Sequence, residues 1–282
     1  MYYIQEIDKP SKIFKIFNIV KLYGDKIILP IKDQEQITEE LSKKLAQKTY
    51  KILKKTNSNK LILSKEVSKQ EQYVNYINTY NFNIVDGRWL FEVLTYKIIE
   101  YIIQKKELNP QEVQITFLVN QLSEITLENI KKSLKKYKKI NIVTNHIEKF
   151  KKIEERYWDK YGIPICITNN KKRSLSKSKI IINIDFPNEL INKYQIYEEA
   201  IIINIQGNIK IKKKRFNGYS INDYEIETEK TNNLKLEEKY KFKTKDIYEA
   251  EIYKKQPYKD IENKLIKDKI KIIKLIAING EI

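Results

Sequence analysis

The chain has 282 residues, of which 41% are hydrophobic, so it is long and apolar enough for one or two packed domains and is not a disordered protein. Its single cysteine, Cys166, excludes an internal disulfide framework. The formal net charge of +18 favours anionic partners, with a solvated Lys-rich surface as the alternative.

Residues 1–108 are predicted to form a small N-terminal α/β lobe. Two capping-box patterns, Asp33 with Gln36 and Ser68 with Glu71, predict the starts of two helices. The apolar segment at residues 88–106 predicts a long helix that is buried on several sides, which we interpret as the link to the next domain. Strands are predicted at residues 13–20, 26–30, 60–63 and 82–85.

Residues 109–218 alternate regularly between predicted strands and helices. The strands are continuous Ile and Val runs at residues 113–119, 140–143, 163–167, 179–184 and 200–205. Such runs are typical of parallel strands that are covered on both faces and joined by helical crossovers. We therefore predict a Rossmann-like parallel sheet, in which Cys166 is a buried core residue rather than a nucleophile.

Residues 219–282 are predicted to be a mixed C-terminal extension that packs on the other lobes. Just before it, Gly207-Asn208 lies between two β-like runs and predicts a hairpin into residues 209–211. Residues 265–278 interleave Lys with Ile, a pattern that fits a helix or a strand equally. The whole chain is thus expected to be an α/β protein with three segments.

The turn after the first Rossmann-like strand contains no glycine. A dinucleotide site needs Gly-x-Gly-x-x-Gly here, so that the backbone can approach the pyrophosphate. Residues 120–126 instead read Asn-Gln-Leu-Ser-Glu-Ile-Thr, and Glu124 brings a carboxylate near the expected phosphate position. Ser123 and Thr126 are most simply helix caps. NADP is therefore a disfavoured ligand at this turn, and no cofactor is expected.

Two later segments of the sequence resemble segments of a known protein family. Residues 140–157, which begin Ile-Asn-Ile-Val-Thr-Asn-His-Ile-Glu-Lys, resemble the second βα unit of the shikimate dehydrogenase and glutamyl-tRNA reductase NAD(P)-binding domains. Residues 178–185, Ser-Lys-Ile-Ile-Ile-Asn-Ile-Asp, resemble a later strand of the same domains. The resemblance implies a Rossmann-like fold, with His146 at the position of the family's NADP-binding arginine. The family's catalytic Lys/Asp pair and nucleophilic cysteine have no counterparts, so the resemblance does not carry activity.

Polar residues at predicted strand ends are candidates for ligand binding, because open α/β sheets bind ligands at the carboxyl ends of their strands. Asp86 could bind a hydroxyl or act as an acid or base, and Arg88 could hold a carboxylate or phosphate; a glycine turn with a helix cap is the alternative. Asn145 with Glu148 also fits an N-cap box. The candidate ligand-binding residues are Asp86, Arg88, Asn120, Asn145, His146 and Asp185.

His146 is the only histidine, so no histidine-based metal cluster can form, and no metal is expected. It could act as a lone general base, or it could be an ordinary residue in the first turn of a helix. Serine–histidine and cysteine–histidine catalysis would both need this ring and a placed partner, which the sequence does not offer. The catalytic residues therefore stay unassigned.

Basic residues are concentrated in residues 111–218, which hold 22 basic and 11 acidic side chains. Two runs stand out, and Phe216 and Tyr219 follow the second one. Basic residues interleaved with aromatic ones can bind phosphates and stack on bases. The candidate residues for anion or nucleic-acid binding are Lys171, Lys172, Arg173, Lys212, Lys213, Lys214 and Arg215.

Three functions fit these observations. The first is a Rossmann-like protein related to NAD(P)-dependent dehydrogenases and reductases, with an altered or lost cofactor site and a role in binding a ligand or partner. The second is a basic protein associated with nucleic acid. The third is an active oxidoreductase with a non-standard NADP site, or an enzyme site near Asp86 and Arg88. The partner stays open, and a cytoplasmic location is expected because neither a signal peptide nor a membrane-spanning segment is evident.

Overall fold

The computed structural model describes residues 1–7, 11–56, 60–161, 165–230, 241–253 and 257–282, with the backbone alone at 153, 156, 157, 160 and 161. The chain forms two compact units. Met1–Gly87 and Thr228–Lys255 make up unit 1, and Arg88–Glu227 and Gln256–Ile282 make up unit 2. The predicted boundaries at 108 and 218 differ from this division, because the helical segment 88–106 packs within unit 2 and the C-terminal residues are shared between the units.

Unit 1 is an α/β layer around a five-stranded sheet of the described strands, in the order β2-β3-β1-β4-β5. All neighbours are parallel except β2 and β3, which form a hairpin. Its strands are β1 (Tyr2–Glu6), β2 (Lys21–Tyr23), β3 (Lys26–Leu29), β4 (Lys60–Leu63) and β5 (Asn83–Val85). Its helices are α1 (Lys12–Ile16), α2 (Glu39–Leu53), α3 (Lys65–Ser68), α4 (Glu71–Asn78) and α11 (Thr244–Ile252).

Strand β4 shows why this sheet is covered on both faces. Leu61 and Leu63 belong to the core that contains residues of α2 and α4, whereas Ile62 between them packs with Ile247 and Ala250 of α11. Successive side chains of a strand point to opposite faces, so a continuous apolar run is required when both faces are buried. The predicted strand at 60–63 is confirmed.

Unit 2 contains the Rossmann-like sheet, whose described strands are ordered β13-β12-β11-β10-β9-β6-β7-β8. They are β6 (Gln114–Leu118), β7 (Lys139–Val143), β8 (Cys166–Thr168), β9 (Ile180–Asn183), β10 (Ile201–Asn204), β11 (Tyr219–Glu227), β12 (Lys271–Ala277) and β13 (Gly280–Glu281). The helices are α5 (Arg88–Val93), α6 (Thr95–Lys105), α7 (Glu124–Lys136), α8 (Ile147–Tyr161), α9 (Lys171–Leu175), α10 (Asn188–Ile191) and α12 (Tyr258–Lys267).

The six strands from β6 to β11 are mutually parallel. Numbered from β6, their spatial order is 3-2-1-4-5-6, the order of the doubly wound dinucleotide-binding fold. The order reverses between β6 and β9, which is the topological switch point of the sheet. Strands β12 and β13 extend the sheet with antiparallel pairs. The predicted fold class, a Rossmann-like sheet with a smaller α/β lobe and a mixed C-terminal extension, is confirmed.

The predicted linking helix is interrupted at Leu94. In a continuous helix the N–H of Tyr96 would bond to the carbonyl of Glu92. Instead, the side-chain amide of Asn129 on α7 accepts from Tyr96 N (3.0 Å) and donates to Glu92 O (2.8 Å). A side chain inserted into the backbone ladder is a recognised cause of a helix break. The interruption therefore depends on a residue of another helix.

The hairpin predicted at Gly207-Asn208 is wrong, because β10 is followed by a loop and then by β11, which is parallel to it. The segment 209–211 is not a strand. Its first residue, Ile209, bonds to side chains instead: its N–H donates to Asn222 Oδ1 (2.9 Å), and its carbonyl accepts from Ser220 Oγ (2.5 Å). These buried side chains satisfy the backbone groups that a hairpin would have paired.

Four other expectations need correction. Ser68 does not cap α4, because it is the last residue of α3 and α4 follows Gln70 without a side-chain cap. The strand predicted at 13–20 is helix α1, whose N-terminus is capped by Ser11 Oγ, the acceptor for Phe14 N (3.3 Å). Helix α2 is capped by Thr38 rather than Asp33. Cys166 is exposed, because β8 is the edge strand of the sheet. The first residues of the strand predicted at 163–167 lie outside the described residues.

Residues 265–278 contain both structures that their pattern fits, the end of α12 followed by β12. Within the described ranges, no helix has the length and apolar character needed to cross a membrane.

Candidate functional site

The switch point of the sheet is closed by a carboxylate of the chain itself. Asn120 and Gln121 follow β6, and Asp185 follows the neighbouring strand β9. The Asp185 carboxylate accepts from the N–H of Asn120 at 2.9 Å through each of its two oxygens. It also accepts from the N–H of Gln121 at 2.6 Å. The first two amides of the turn are therefore both bonded to Asp185.

These backbone amides are the groups that face the pyrophosphate in a dinucleotide-binding turn. In this chain a fixed negative charge already takes their hydrogen bonds. A phosphate at the same place would have to displace Asp185 or approach it, and two like charges at close range repel strongly in a partly desolvated site. Asp185 bonds to this backbone through its side chain, an arrangement that does not need the glycines of a dinucleotide-binding turn.

The N-terminus of α7 is also satisfied internally. Ser123 Oγ accepts from Thr126 N (2.9 Å), which is the cap predicted from the sequence. The Glu92 carboxylate of α5 in turn accepts from the hydroxyls of Ser123 and Thr126. A helix N-terminus attracts anions, and here Glu92 and the first-turn residue Glu124 supply the negative charge. In a dinucleotide site the helix N-terminus also attracts the phosphate. In this chain Glu92 and Glu124 already place negative charge there.

A cleft of about 860 Å³ opens beside the closed turn, between the ends of β6 and β7. Hydrogen bonds tie the strand ends around it: Asn120 Oδ1 accepts from Asn145 N (2.9 Å), and Asn145 Oδ1 accepts from Lys171 Nζ (2.5 Å). Asn145 Oδ1 is therefore bonded to Lys171 rather than capping α8, contrary to the N-cap interpretation. The lining residues are Asn120, Gln121, Leu122, Asn145, His146, Ile147, Glu148 and Lys149.

His146 stands at the mouth of this cleft, exposed to solvent. Its backbone N–H donates to Thr144 Oγ1 (3.1 Å), and its imidazole has no hydrogen bond or ion pair to any described residue. Lys149, one turn further along α8, also lines the cleft, whereas Glu148 pairs with Lys151 at 2.7 Å. The cleft thus offers amides, an imidazole and an ammonium group, which suit a polar ligand that has hydrogen-bond acceptors.

Asp86 and Arg88 lie outside this cleft. Arg88, at the start of α5, donates to the carbonyls of Asn204 (3.0 Å) and Ile205 (3.3 Å) and to Asn208 Oδ1 (2.7 Å). Its guanidinium is therefore bonded to the backbone at the carboxyl end of β10. The exposed residue Asp86 belongs to unit 1, where its carbonyl accepts from Lys245 Nζ (2.9 Å).

The two basic runs lie at opposite ends of the parallel strands, one at the carboxyl ends and the other at the amino ends. Residues 171–173 follow β8, whereas residues 212–215 precede β11, and these strands are parallel. The first run contributes Lys171 to the cleft's hydrogen bonds. In the second, Lys213 and Arg215 line a separate cavity. One continuous nucleic-acid surface is therefore not formed by the two runs.

Three residues described above were missed at the sequence level: Glu92, Asn129 and Lys149. Glu92 had a usable signal, since it is an acidic residue in a mostly apolar helical segment, and Lys149 lies one helical turn after the candidate His146. Asn129 had none, because its role depends on the packing of α7 against α5 and α6. Among the described residues, no group of three or more His, Cys, Asp or Glu side chains is placed to hold a metal ion.

No protein-family model and no curated protein matches the chain. Solved structures similar to it include L-tryptophan dehydrogenase from Nostoc punctiforme, with 8% identity over 72% of this chain and 63% of that chain, at a TM-score of 0.31. Others are ornithine carbamoyltransferase from Pyrococcus furiosus (11% identity, 72% and 71%, TM-score 0.29) and a shikimate 5-dehydrogenase-like protein (11%, 72% and 76%, TM-score 0.26). The chain spans less than two thirds of the tryptophan dehydrogenase.

The strand order of unit 2 identifies its fold more directly than these distant similarities do. That order defines unit 2 as a Rossmann-type α/β domain. It confirms the fold that the resemblance to the shikimate dehydrogenase domain implied.

Proposed function

We propose that this chain is a Rossmann-type ligand-binding protein, related to NAD(P)-dependent dehydrogenases, whose pyrophosphate site has been replaced by an internal carboxylate. The observation that carries the proposal is the set of three hydrogen bonds from the amides of Asn120 and Gln121 to Asp185. The internal use of the α7 N-terminus by Ser123 and Glu92 supports it. Hydride transfer is not part of the proposal, because Asp185 takes the backbone amides that would bind the pyrophosphate of a nicotinamide dinucleotide.

The ligand is proposed to occupy the cleft beside the closed turn. Its volume of about 860 Å³ falls in the range of small-molecule sites, which is roughly 300–1,000 Å³. The site lies at the carboxyl edge of the sheet, where this fold binds its ligands. His146 and Lys149 are proposed to contact the ligand, and the bonded strand ends at Asn120 and Asn145 are proposed to keep the cleft open in its absence.

The cofactor part of the proposal is tested by thermal unfolding with NADH and NADPH. We expect no shift of the midpoint beyond about 1 °C at millimolar cofactor, since a ligand stabilises a protein appreciably only when its concentration exceeds its dissociation constant. A midpoint raised by several degrees with NADPH would revive the alternative, an oxidoreductase with a non-standard NADP site. In the Asp185→Asn variant the charge is removed, so any residual phosphate affinity of the turn should become measurable there.

The cleft is tested by a screen of small polar compounds detected by ligand-observed NMR. A compound that binds the wild type should lose most of its signal with His146→Ala and Lys149→Glu. Lys152→Glu is the matched control, since Lys152 is exposed on the same helix and does not line the cleft. If all three variants bind like the wild type, the compound sits elsewhere and the cleft is not its site.

A further inference from the structure

A second cavity of about 330 Å³ lies at the amino edge of the Rossmann-like sheet. Its walls come from the three segments that lead into β9, β10 and β11, including Ser176, Tyr197, Lys213, Arg215 and Phe216. It is therefore at the opposite edge from the cleft described above. A Rossmann-type fold has no ligand site of its own at this edge.

The walls are held by hydrogen bonds to neighbouring segments. The N–H of Tyr197 donates to Leu175 O (3.0 Å), and the carbonyl of Glu198 accepts from both Asn217 N (2.8 Å) and Gly218 N (2.9 Å). Phe216 N donates to Lys213 O (3.1 Å), which closes the turn that carries the basic residues. Tyr197 and Phe216 also pack against one hydrophobic core cluster. The cavity is thus preformed rather than dependent on a ligand.

Two cations of this cavity are not neutralised by the described chain. The side chains of Lys213 and Arg215 have no ion pair or hydrogen bond to any described residue. Lys213 is half-buried, and this burial lowers the pKa of its ammonium group. Glu198 is the acidic residue of the lining, so these three side chains leave one positive charge in excess. An anion between Lys213 and Arg215 would remove this imbalance.

We propose that this cavity binds a nucleoside monophosphate, with the phosphate between Lys213 and Arg215 and the base against Tyr197 and Phe216. A guanidinium and an ammonium group together suit a phosphate, which Arg can bind through two parallel hydrogen bonds. Aromatic rings accept the flat face of a base. The volume is near the lower limit for small-molecule sites, about 300 Å³, which fits a mononucleotide better than a dinucleotide.

Isothermal titration of the full chain with adenosine 5′-monophosphate, inorganic phosphate and adenosine tests the proposal. We expect the monophosphate to bind more tightly than either part alone. Lys213→Met combined with Arg215→Met should weaken binding at least about tenfold, the effect of losing charge-assisted hydrogen bonds. Lys212→Met combined with Lys214→Met is the matched control, because these exposed residues belong to the same run and do not line the cavity.

Equal weakening in the two double variants would show diffuse electrostatic binding and overturn the proposal. So would inorganic phosphate that binds as tightly as the monophosphate, since the aromatic walls would then contribute nothing. A single-stranded RNA that binds while the monophosphate does not would replace the proposal with the nucleic-acid reading. Circular dichroism of each variant checks its fold, and Arg215→Lys, which keeps the charge but loses the paired hydrogen bonds, should bind between the wild type and the double variant.

Discussion

At several positions a single side chain hydrogen-bonds to backbone groups. In other Rossmann-type proteins such groups would bond to a ligand or to neighbouring backbone. Asn129 hydrogen-bonds to the backbone of Glu92 and Tyr96, where the helix is interrupted between α5 and α6. Asn222 and Ser220 hydrogen-bond to the backbone of Ile209 in the loop before β11. Asp185 does the same at the phosphate turn. Each is a short polar side chain that bonds to backbone groups left unpaired by regular helix and strand structure.

The carboxylate of Asp185 should contribute to stability as well as exclude phosphate. Replacement by Asn keeps one acceptor oxygen but removes the charge and places an NH₂ group near backbone donors. We expect Asp185→Asn to lower the free energy of unfolding by about 1–2 kcal/mol, as for other hydrogen bonds to charged groups. Urea denaturation measures it.

Asp25→Asn is the control for this change, because Asp25 is an exposed hairpin residue whose carboxylate bonds to no described residue. It should leave stability within about 0.5 kcal/mol of the wild type, as surface substitutions usually do. Equal stability of Asp185→Asn and Asp25→Asn would mean that the contacts of Asp185 are energetically neutral.

Among the elements, β11 depends on a close approach that only glycine allows. A Cβ atom added at Gly218 would lie 2.0 Å from the carbonyl oxygen of Ala200, at the start of β10. The backbone there cannot move freely, because Tyr219 N bonds to the same carbonyl (3.0 Å) and Gly218 N bonds to Glu198 O (2.9 Å). The position of β11, the sixth parallel strand, is therefore fixed by the close backbone contact between Gly218 and Ala200.

We expect Gly218→Ala to destabilise the protein by about 3 kcal/mol, at the upper end for overpacking, because the new methyl group meets backbone rather than a movable side chain. Gly207→Ala provides the comparison, since a Cβ at Gly207 meets nothing within 4 Å. That variant should stay within about 1 kcal/mol of the wild type. Differential scanning calorimetry of both variants measures the difference, and similar midpoints would show that β11 can shift to accept the methyl group.

Elements that are buried on both faces were predictable, and elements positioned by distant side chains were not. The Ile-rich runs at β9 and β10 can be read as parallel strands because burial on two faces demands continuous apolar residues. The interruption at Leu94 and the loop at Ile209 depend on Asn129 and Asn222, which the local pattern does not reveal. Helix α1 was mistaken for a strand because residues 13–20 are rich in β-branched and aromatic residues, which favour strands.

The candidate site was predictable to a similar extent. Strand ends pointed to Asn120, Asn145 and His146, which the structure places around one cleft. The missing glycines indicated a changed phosphate turn. The residue that fills it, Asp185, lies 65 positions from Asn120, and only the crossover between neighbouring strands β6 and β9 brings the two together. Its role as an internal acceptor could not be inferred from local sequence.

The molecule as a whole carries an excess of positive charge, because it has more basic side chains than acidic ones to pair with. There are 55 basic and 37 acidic side chains, and several of the described ion pairs are exposed, such as Lys44 with Glu40. Exposed pairs contribute little to stability, roughly 0–1 kcal/mol each. A net charge of +18 instead opposes the compact state through mutual repulsion.

Salt should therefore stabilise the protein. Raising sodium chloride from about 10 mM to 150 mM shortens the Debye length from about 30 Å to 8 Å, which screens the repulsion. We expect the thermal midpoint to rise by about 2–4 °C, which corresponds to about 1–2 kcal/mol in a protein of this size. Sodium phosphate at matched ionic strength should raise it further, because phosphate also occupies the cavity of Lys213 and Arg215. The additional rise should shrink in the Lys213→Met, Arg215→Met variant to the general stabilisation that phosphate gives any protein, while the chloride effect persists. A midpoint that falls with chloride would show instead that ion pairs, which salt weakens, outweigh the repulsion.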